Sequence, residues 1–239
     1  SESAGIYNNR QTASVTVAKE DSATGNPLDG GTYSLYVGND IRTYDGGLAV
    51  KKGTLLQTVT TGADGTAAFS ADLPIGNSYY VSESQAPSGY VRDEADVYSF
   101  HFGLLPETKG TASFSHTFAN DRVTAKIHLY KLDQETKKAV PQGDASLSGA
   151  VYGLYAGEDI VHPDGATGVL CHAGELVTSI TTDEKGEAEV EGLYLGKYYL
   201  KETQAPEGYL PDPEKHEVTC SYEGDLVPEV ARSVASEEQ

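Results

Sequence analysis

Tryptophan and methionine are absent from the 239 residues, cysteine occurs twice, and 17 basic side chains face 36 acidic ones, a net charge of −19. The shortage of positive charge argues against a nucleic-acid backbone or an anionic bilayer as partner, because both require a basic face. No apolar run approaches the roughly 20 residues that span a membrane. The opening Ser1-Glu2-Ser3-Ala4-Gly5 carries no cleavable signal pattern, so an exported parent would contain this chain as an internal slice. Two cysteines without a clustered histidine do not make a zinc set, and the regular acidic spacing of a calcium loop is missing. No Ser/His/Asp arrangement, phosphate-cradling glycine loop or pair of catalytic carboxylates stands out. No metal and no cofactor are therefore expected. His162 and His172 read as turn and loop residues, and His116 as a packed core histidine.

What the sequence does hold is a repeat. Residues 79–90 read YYVSESQAPSGY and residues 198–209 read YYLKETQAPEGY. Each is preceded by a Thr-Thr turn (Thr60-Thr61 to Gly65; Thr181-Thr182 to Gly186) and by a Leu-x-x-Gly approach (Leu73 to Gly76; Leu193 to Gly196). Further upstream, Tyr33-Ser34-Leu35-Tyr36 answers Tyr152-Gly153-Leu154-Tyr155, and VTVAKED (15–21) answers IHLYKLD (127–133). Repetition in constant order signals homologous modules. We read residues 1–8 as the remnant of a preceding domain, 9–122 as domain 1 and 123–239 as domain 2, cut from a longer array.

Apolar and polar residues alternate with period two, the pattern of half-buried strands, and 26 glycines with Asp-Gly and Pro-x-Gly punctuation supply tight turns. No stretch carries a helical stripe of useful length. The chain is expected to be all-β, with one sandwich per repeat.

Parity then selects three polar residues. Lys19 continues the inward row of Val15 and Val17, Glu83 that of Tyr79 and Val81, and Asn120 that of Phe114, His116 and Phe118. Lysine and glutamate are seldom buried without partners. A low dielectric favours a neutral amine, which is a nucleophile, and a neutral carboxylic acid, which can pass a proton to an amide. The expected product is a Lys19–Asn120 isopeptide bond with ammonia as leaving group, formed once per molecule and assisted by Glu83. The chain is thus not expected to be a turnover enzyme.

Those segments, with the closing SHTFAN (115–120), resemble the Cna-B (SpaA-like, prealbumin-like) domains of Gram-positive surface proteins and pilins. The resemblance implies the same roles for Lys19, Asn120 and Glu83, and a prealbumin-like, Ig-like fold for both sandwiches. It also implies an extracellular chain anchored to the cell wall through other parts of its parent. Its partners would be neighbouring domains of the same surface protein, with a structural stalk or shaft as the function. The alternative is an adhesin domain that itself binds a host extracellular protein or glycan.

Domain 2 departs from the pattern. Lys131 and Glu202 repeat two roles, but no asparagine follows Asn120. Aligning Val234 with Phe118 puts Ser236 in the third place, where no electrophilic carbon exists, so the domain 2 set is expected to be vestigial and unbonded. Cys171 and Cys220 both lie in domain 2 at inward parity. They could cross-link two strands in an oxidising compartment or stand as two separate thiols. The longer loop from Gln134 to Gly149 is the best place for a contact unique to domain 2.

Overall fold

The computed structural model describes residues 9–133, 137–140 and 145–238, with only the backbone at 236–238. The expected remnant at 1–8 and residues 134–136 and 141–144 of the Gln134–Gly149 loop lie outside the described residues. Residues up to Pro87 together with Arg92–Asp121 form one compact unit, and Ser88–Val91 together with Arg122 onward form a second. The described residues are all-β, and among them no helix is long and apolar enough to cross a membrane.

In domain 1 the strands are β1 (Thr12–Asp21), β2 (Thr32–Val37), β3 (Ile41–Arg42), β4 (Leu48–Val50), β5 (Leu55–Thr60), β6 (Thr66–Phe69), β7 (Asn77–Gln85), β8 (Val97–Phe102) and β9 (Thr111–Asn120). They form a three-stranded sheet, β6-β1-β9, a four-stranded sheet, β5-β2-β7-β8, and the small hairpin β3-β4. Domain 2 repeats the plan with β10 (Thr124–Asp133), β11 (Val151–Ala156), β12 (Ile160–Val161), β13 (Val169–Cys171), β14 (Leu176–Thr181), β15 (Glu187–Leu193), β16 (Gly196–Gln204), β17 (Lys215–Cys220) and β18 (Glu229–Glu238). Its sheets are β15-β10-β18, β14-β11-β16-β17 and β12-β13.

The period-two pattern of the sequence places the cores. Along β1, Val15, Val17, Lys19 and Asp21 are buried while their neighbours are not. Val15 and Val17 join Tyr33, Leu35, Tyr79 and Val81 of the opposite sheet in one apolar cluster. Domain 2 builds its own cluster from Ile127, Leu129, Tyr152, Leu154, Tyr198 and Leu200.

Two features position the site. The first and last strands of each domain run parallel and side by side: β1 pairs with β9 over ten rungs, from Thr12↔Thr111 to Asp21↔Asn120. A parallel pair cannot be made by a hairpin, so the whole domain is wound between its two tied ends. The second feature is the turn after the Thr-Thr pair. The second threonine is buried in both copies. Thr61 Oγ1 donates to Leu28 O at 2.9 Å and accepts from Gly31 N at 3.0 Å; Thr182 Oγ1 does the same with Leu147 O at 2.6 Å and Ala150 N at 3.0 Å. The turn ends on Gly65, whose φ of +73° suits glycine and whose added Cβ would stand 2.7 Å from Lys19 O. That close approach lets Lys19 N donate to Gly65 O at 2.7 Å and fixes the backbone from which the lysine side chain enters the core.

Candidate functional site

The site of domain 1 grows from three strands. Lys19 comes from β1, Glu83 from β7 and Asn120 from the last position of β9. All are nearly inaccessible to solvent, at 1%, 6% and 2% exposure. Lys19 Nζ lies 3.3 Å from Glu83 Oε1 and makes no well-aligned hydrogen bond. Asn120 Nδ2 donates to the other carboxyl oxygen, Oε2, at 2.8 Å. One carboxyl group therefore spans an amine and a carboxamide, with a different oxygen turned to each. Burial pushes the Lys19 amine below the ordinary lysine range, opposed by the adjacent Glu83 charge. A lowered lysine pKa increases the neutral, nucleophilic fraction.

A fourth residue completes the cluster, and its role was not read from the sequence. Tyr33 on β2 stands directly across the antiparallel ladder from Glu83. Its hydroxyl donates to Glu83 Oε1 at 3.1 Å, the oxygen that also faces Lys19. Burial, aided by the Glu83 charge, drives its acidity far below that of a free phenol, so it stays a neutral hydroxyl. The signal that could have found it was in the repeat, since the Tyr-x-Leu-Tyr segment is kept in both copies. Gly31 leaves room beside this cluster: a Cβ there would approach Tyr33 Cε2 at 3.2 Å and Lys19 Cγ at 3.3 Å.

Domain 2 keeps half of this arrangement. Lys131 Nζ lies 3.3 Å from Glu202 Oε1, and both side chains are fully buried. Burial again pulls the lysine down, against the pull of Glu202. Here the tyrosine contact changes partner: Tyr152, across the ladder from Glu202, is 2.6 Å from Lys131 Nζ. Glu202 Oε2, whose counterpart accepts from Asn120 in domain 1, accepts from the backbone N–H of Asp212 at 2.5 Å.

The ladder corrects the place assigned to Ser236. Lys19 pairs with Phe118 and Lys131 with Ser236, while Asp21 pairs with Asn120 and Asp133 with Glu238. Glu238 thus holds the register position of Asn120, and Ser236 that of Phe118. Matching Val234 to Phe118 by their apolar character slipped the alignment by two residues. An even slip leaves every residue on its expected face, so parity could not reveal it.

Cys171 and Cys220 are separate free thiols, the second of the alternatives left open by the sequence. By register Cys220 takes the place of the core residue Phe102, and Cys171 that of Val50, a partly buried residue packed against the core. His116 is packed but not sealed. It stacks on Tyr98 at 5.0 Å, its Nε2 is 3.0 Å from Asp96 Oδ1, and about a third of the side chain is open to solvent. Among the described residues no three His, Cys, Asp or Glu side chains gather as a metal set.

Two stretches, residues 13–113 and 125–231, each match the SpaA prealbumin-like fold domain family. No curated protein matches the chain. Among solved structures, the Bacillus anthracis TIE protein is 23% identical with a TM-score of 0.61, and the match covers 96% of this chain and 34% of that one. The chain therefore spans about a third of that relative's length. A Streptococcal ancillary pilin matches at 22% identity and a TM-score of 0.37, covering 94% of this chain and 62% of that one. The shaft pilin SpaA of Lactobacillus rhamnosus GG matches at 16% identity and a TM-score of 0.35, covering 96% and 98%. At 23% identity the likeness to the first of these is one of fold.

Proposed function

Because the chain belongs to the SpaA prealbumin-like fold family, which its two halves match in turn, we propose that it is a load-bearing shaft or stalk module of an extracellular surface protein or pilin. Domain 1 closes itself with a Lys19–Asn120 isopeptide bond. The observation that carries this reading is the single buried carboxyl of Glu83, with Oε1 3.3 Å from the amine and Oε2 2.8 Å from the amide nitrogen.

The chemistry balances without any outside reagent. Neutral Lys19 Nζ attacks Asn120 Cγ, and the Nζ–Cγ bond forms as the Cγ–Nδ2 bond breaks. The amine proton passes to Glu83 Oε1. Glu83 enters as the neutral acid, so as Oε1 takes up the amine proton the carboxyl gives its own proton from Oε2 to the departing Nδ2, which leaves as ammonia. Nothing is oxidised or reduced. Glu83 ends as it began, but the lysine is consumed, so the reaction happens once.

The register gives the bond its mechanical meaning. Tension along the chain enters at the start of β1 and leaves after the end of β9, and in a parallel pair that load shears the two strands. A bond from Lys19 to Asn120 carries the load from near the end of β1 directly to the end of β9, and the residues between them bear none. In a single-molecule pulling experiment, domain 1 is expected to give no unfolding extension, whereas Asn120→Ala restores extension of about 100 residues at roughly 3.3–3.6 Å each. Full extension of wild-type domain 1 would refute the reading. Domain 2, with no amide at the third position, should extend in both chains. Direct binding of a host protein or glycan, the other function the sequence allowed, has no comparable cluster among the described residues to support it.

A further inference from the structure

We infer that Tyr33 is a positioning residue for this bond, assigning the two oxygens of Glu83 their separate tasks. The inference rests on the proposed Lys19–Asn120 reaction and adds a residue to it. A carboxyl group with two equivalent oxygens could rotate or take both protons on one side. In domain 1 it is held from both ends: Tyr33 O–H grips Oε1 at 3.1 Å and Asn120 Nδ2 grips Oε2 at 2.8 Å. The result is a directional relay, with proton uptake from Lys19 at Oε1 and delivery to the leaving nitrogen at Oε2.

A phenolic hydroxyl suits the first position because it can both donate and accept. With the acid proton on Oε2, it donates to Oε1 before the lysine proton arrives and can accept from the Oε1 hydroxyl afterwards. The group stays protonated throughout, because burial beside Glu83 opposes its ionisation. Domain 2 supplies the contrast. Its tyrosine occupies the same ladder position but stands 2.6 Å from the lysine Nζ, while a backbone N–H holds the far carboxyl oxygen. There the polar contacts hold an amine and a carboxyl in place, with no leaving amide between them among the described residues.

The test uses the full chain isolated unreacted in urea. It is diluted into buffers from mildly acid to alkaline pH and sampled over time by intact mass. Tyr33→Phe keeps the ring and removes only the hydroxyl. Loss of ammonia is expected to slow about tenfold to a hundredfold, the worth of one hydrogen bond to a charged group. The ionisation that governs the rate should also move to higher pH, since the carboxylate loses a donor. A difluorotyrosine at position 33, a stronger donor on an intact ring, should move that ionisation to lower pH, and it covers the case in which the phenylalanine variant does not fold. Comparing the thermal midpoints of Asn120→Ala and Asn120→Ala/Tyr33→Phe, neither able to bond, isolates the packing effect. An unchanged rate, or a slower rate with an unmoved pH profile, would overturn the inference and leave the bond standing. Absence of ammonia loss from the wild-type chain at every pH would instead remove the reaction itself.

Discussion

Asn120→Ala is expected to lower the thermal midpoint of domain 1 by roughly 20 °C while leaving the transition of domain 2 in place. The reasoning starts from the unfolded chain. A bond between Lys19 and Asn120 closes a loop of about 100 residues, which in the chain-entropy model contributes on the order of 4–5 kcal/mol. For a domain of this size each kcal/mol moves the midpoint by about 4 °C. Alanine at 120 is the informative substitution because it leaves the Lys19–Glu83 pair intact. Truncating Glu83 would instead strand a buried ammonium, at a cost of about 3–5 kcal/mol unrelated to the bond. Calorimetry resolves the two transitions, and domain 2 acts as the internal standard. A shift of only about 1 kcal/mol in stability would mean that Asn120 contributes a hydrogen bond and no covalent tie.

The second large effect is a gain. Glu238→Asn is expected to give domain 2 its own bond to Lys131, with loss of a second ammonia and a rise of its midpoint by a similar amount, since the new loop is again about 100 residues long. The case rests on register: Glu238 pairs with Asp133 as Asn120 pairs with Asp21. The amine and the acid are already in place, with Lys131 buried 3.3 Å from Glu202. The new bond should form more slowly than that of domain 1, because the Asp212 N–H already holds Glu202 Oε2 and the amide must compete for it. Ser236→Asn is the control. It stands at the register of Phe118, across from Lys131 itself, and should release no ammonia. Peptide mapping for a Lys131 cross-link checks both variants. A bond in Ser236→Asn and none in Glu238→Asn would show that β18 is shifted by two residues.

Much of this was legible in the sequence because a strand writes its two faces directly into the order of residues. Lys19, Glu83 and Asn120 each interrupt an apolar row with a polar group, and burial of all three follows from parity alone. The doubled motifs likewise gave two similar sandwiches. Parity is blind to even shifts, so it could not separate Ser236 from Glu238 as the counterpart of Asn120. That difference is fixed by which rungs of β10 and β18 pair. Tyr33 was visible as a repeated core aromatic, but its hydroxyl gains meaning only from the ladder that sets it across from Glu83. The divergence of Tyr152 toward Lys131 leaves no mark in residue identity, because the same side chains at the same ladder positions can choose between two polar partners. For the cysteines, parity placed Cys220 in the core, where it is buried, but it misjudged β13, where Val169 is exposed and Cys171 only partly buried, and it could not say whether the sulfurs meet.

The most direct test of the covalent claim is the intact mass of the wild-type chain, followed by peptide mapping. The account predicts a deficit of one ammonia, one branched peptide joining Lys19 to Asn120, and an unmodified Lys131. A mass equal to that of the unmodified sequence, with Lys19 and Asn120 in separate linear peptides, would contradict it.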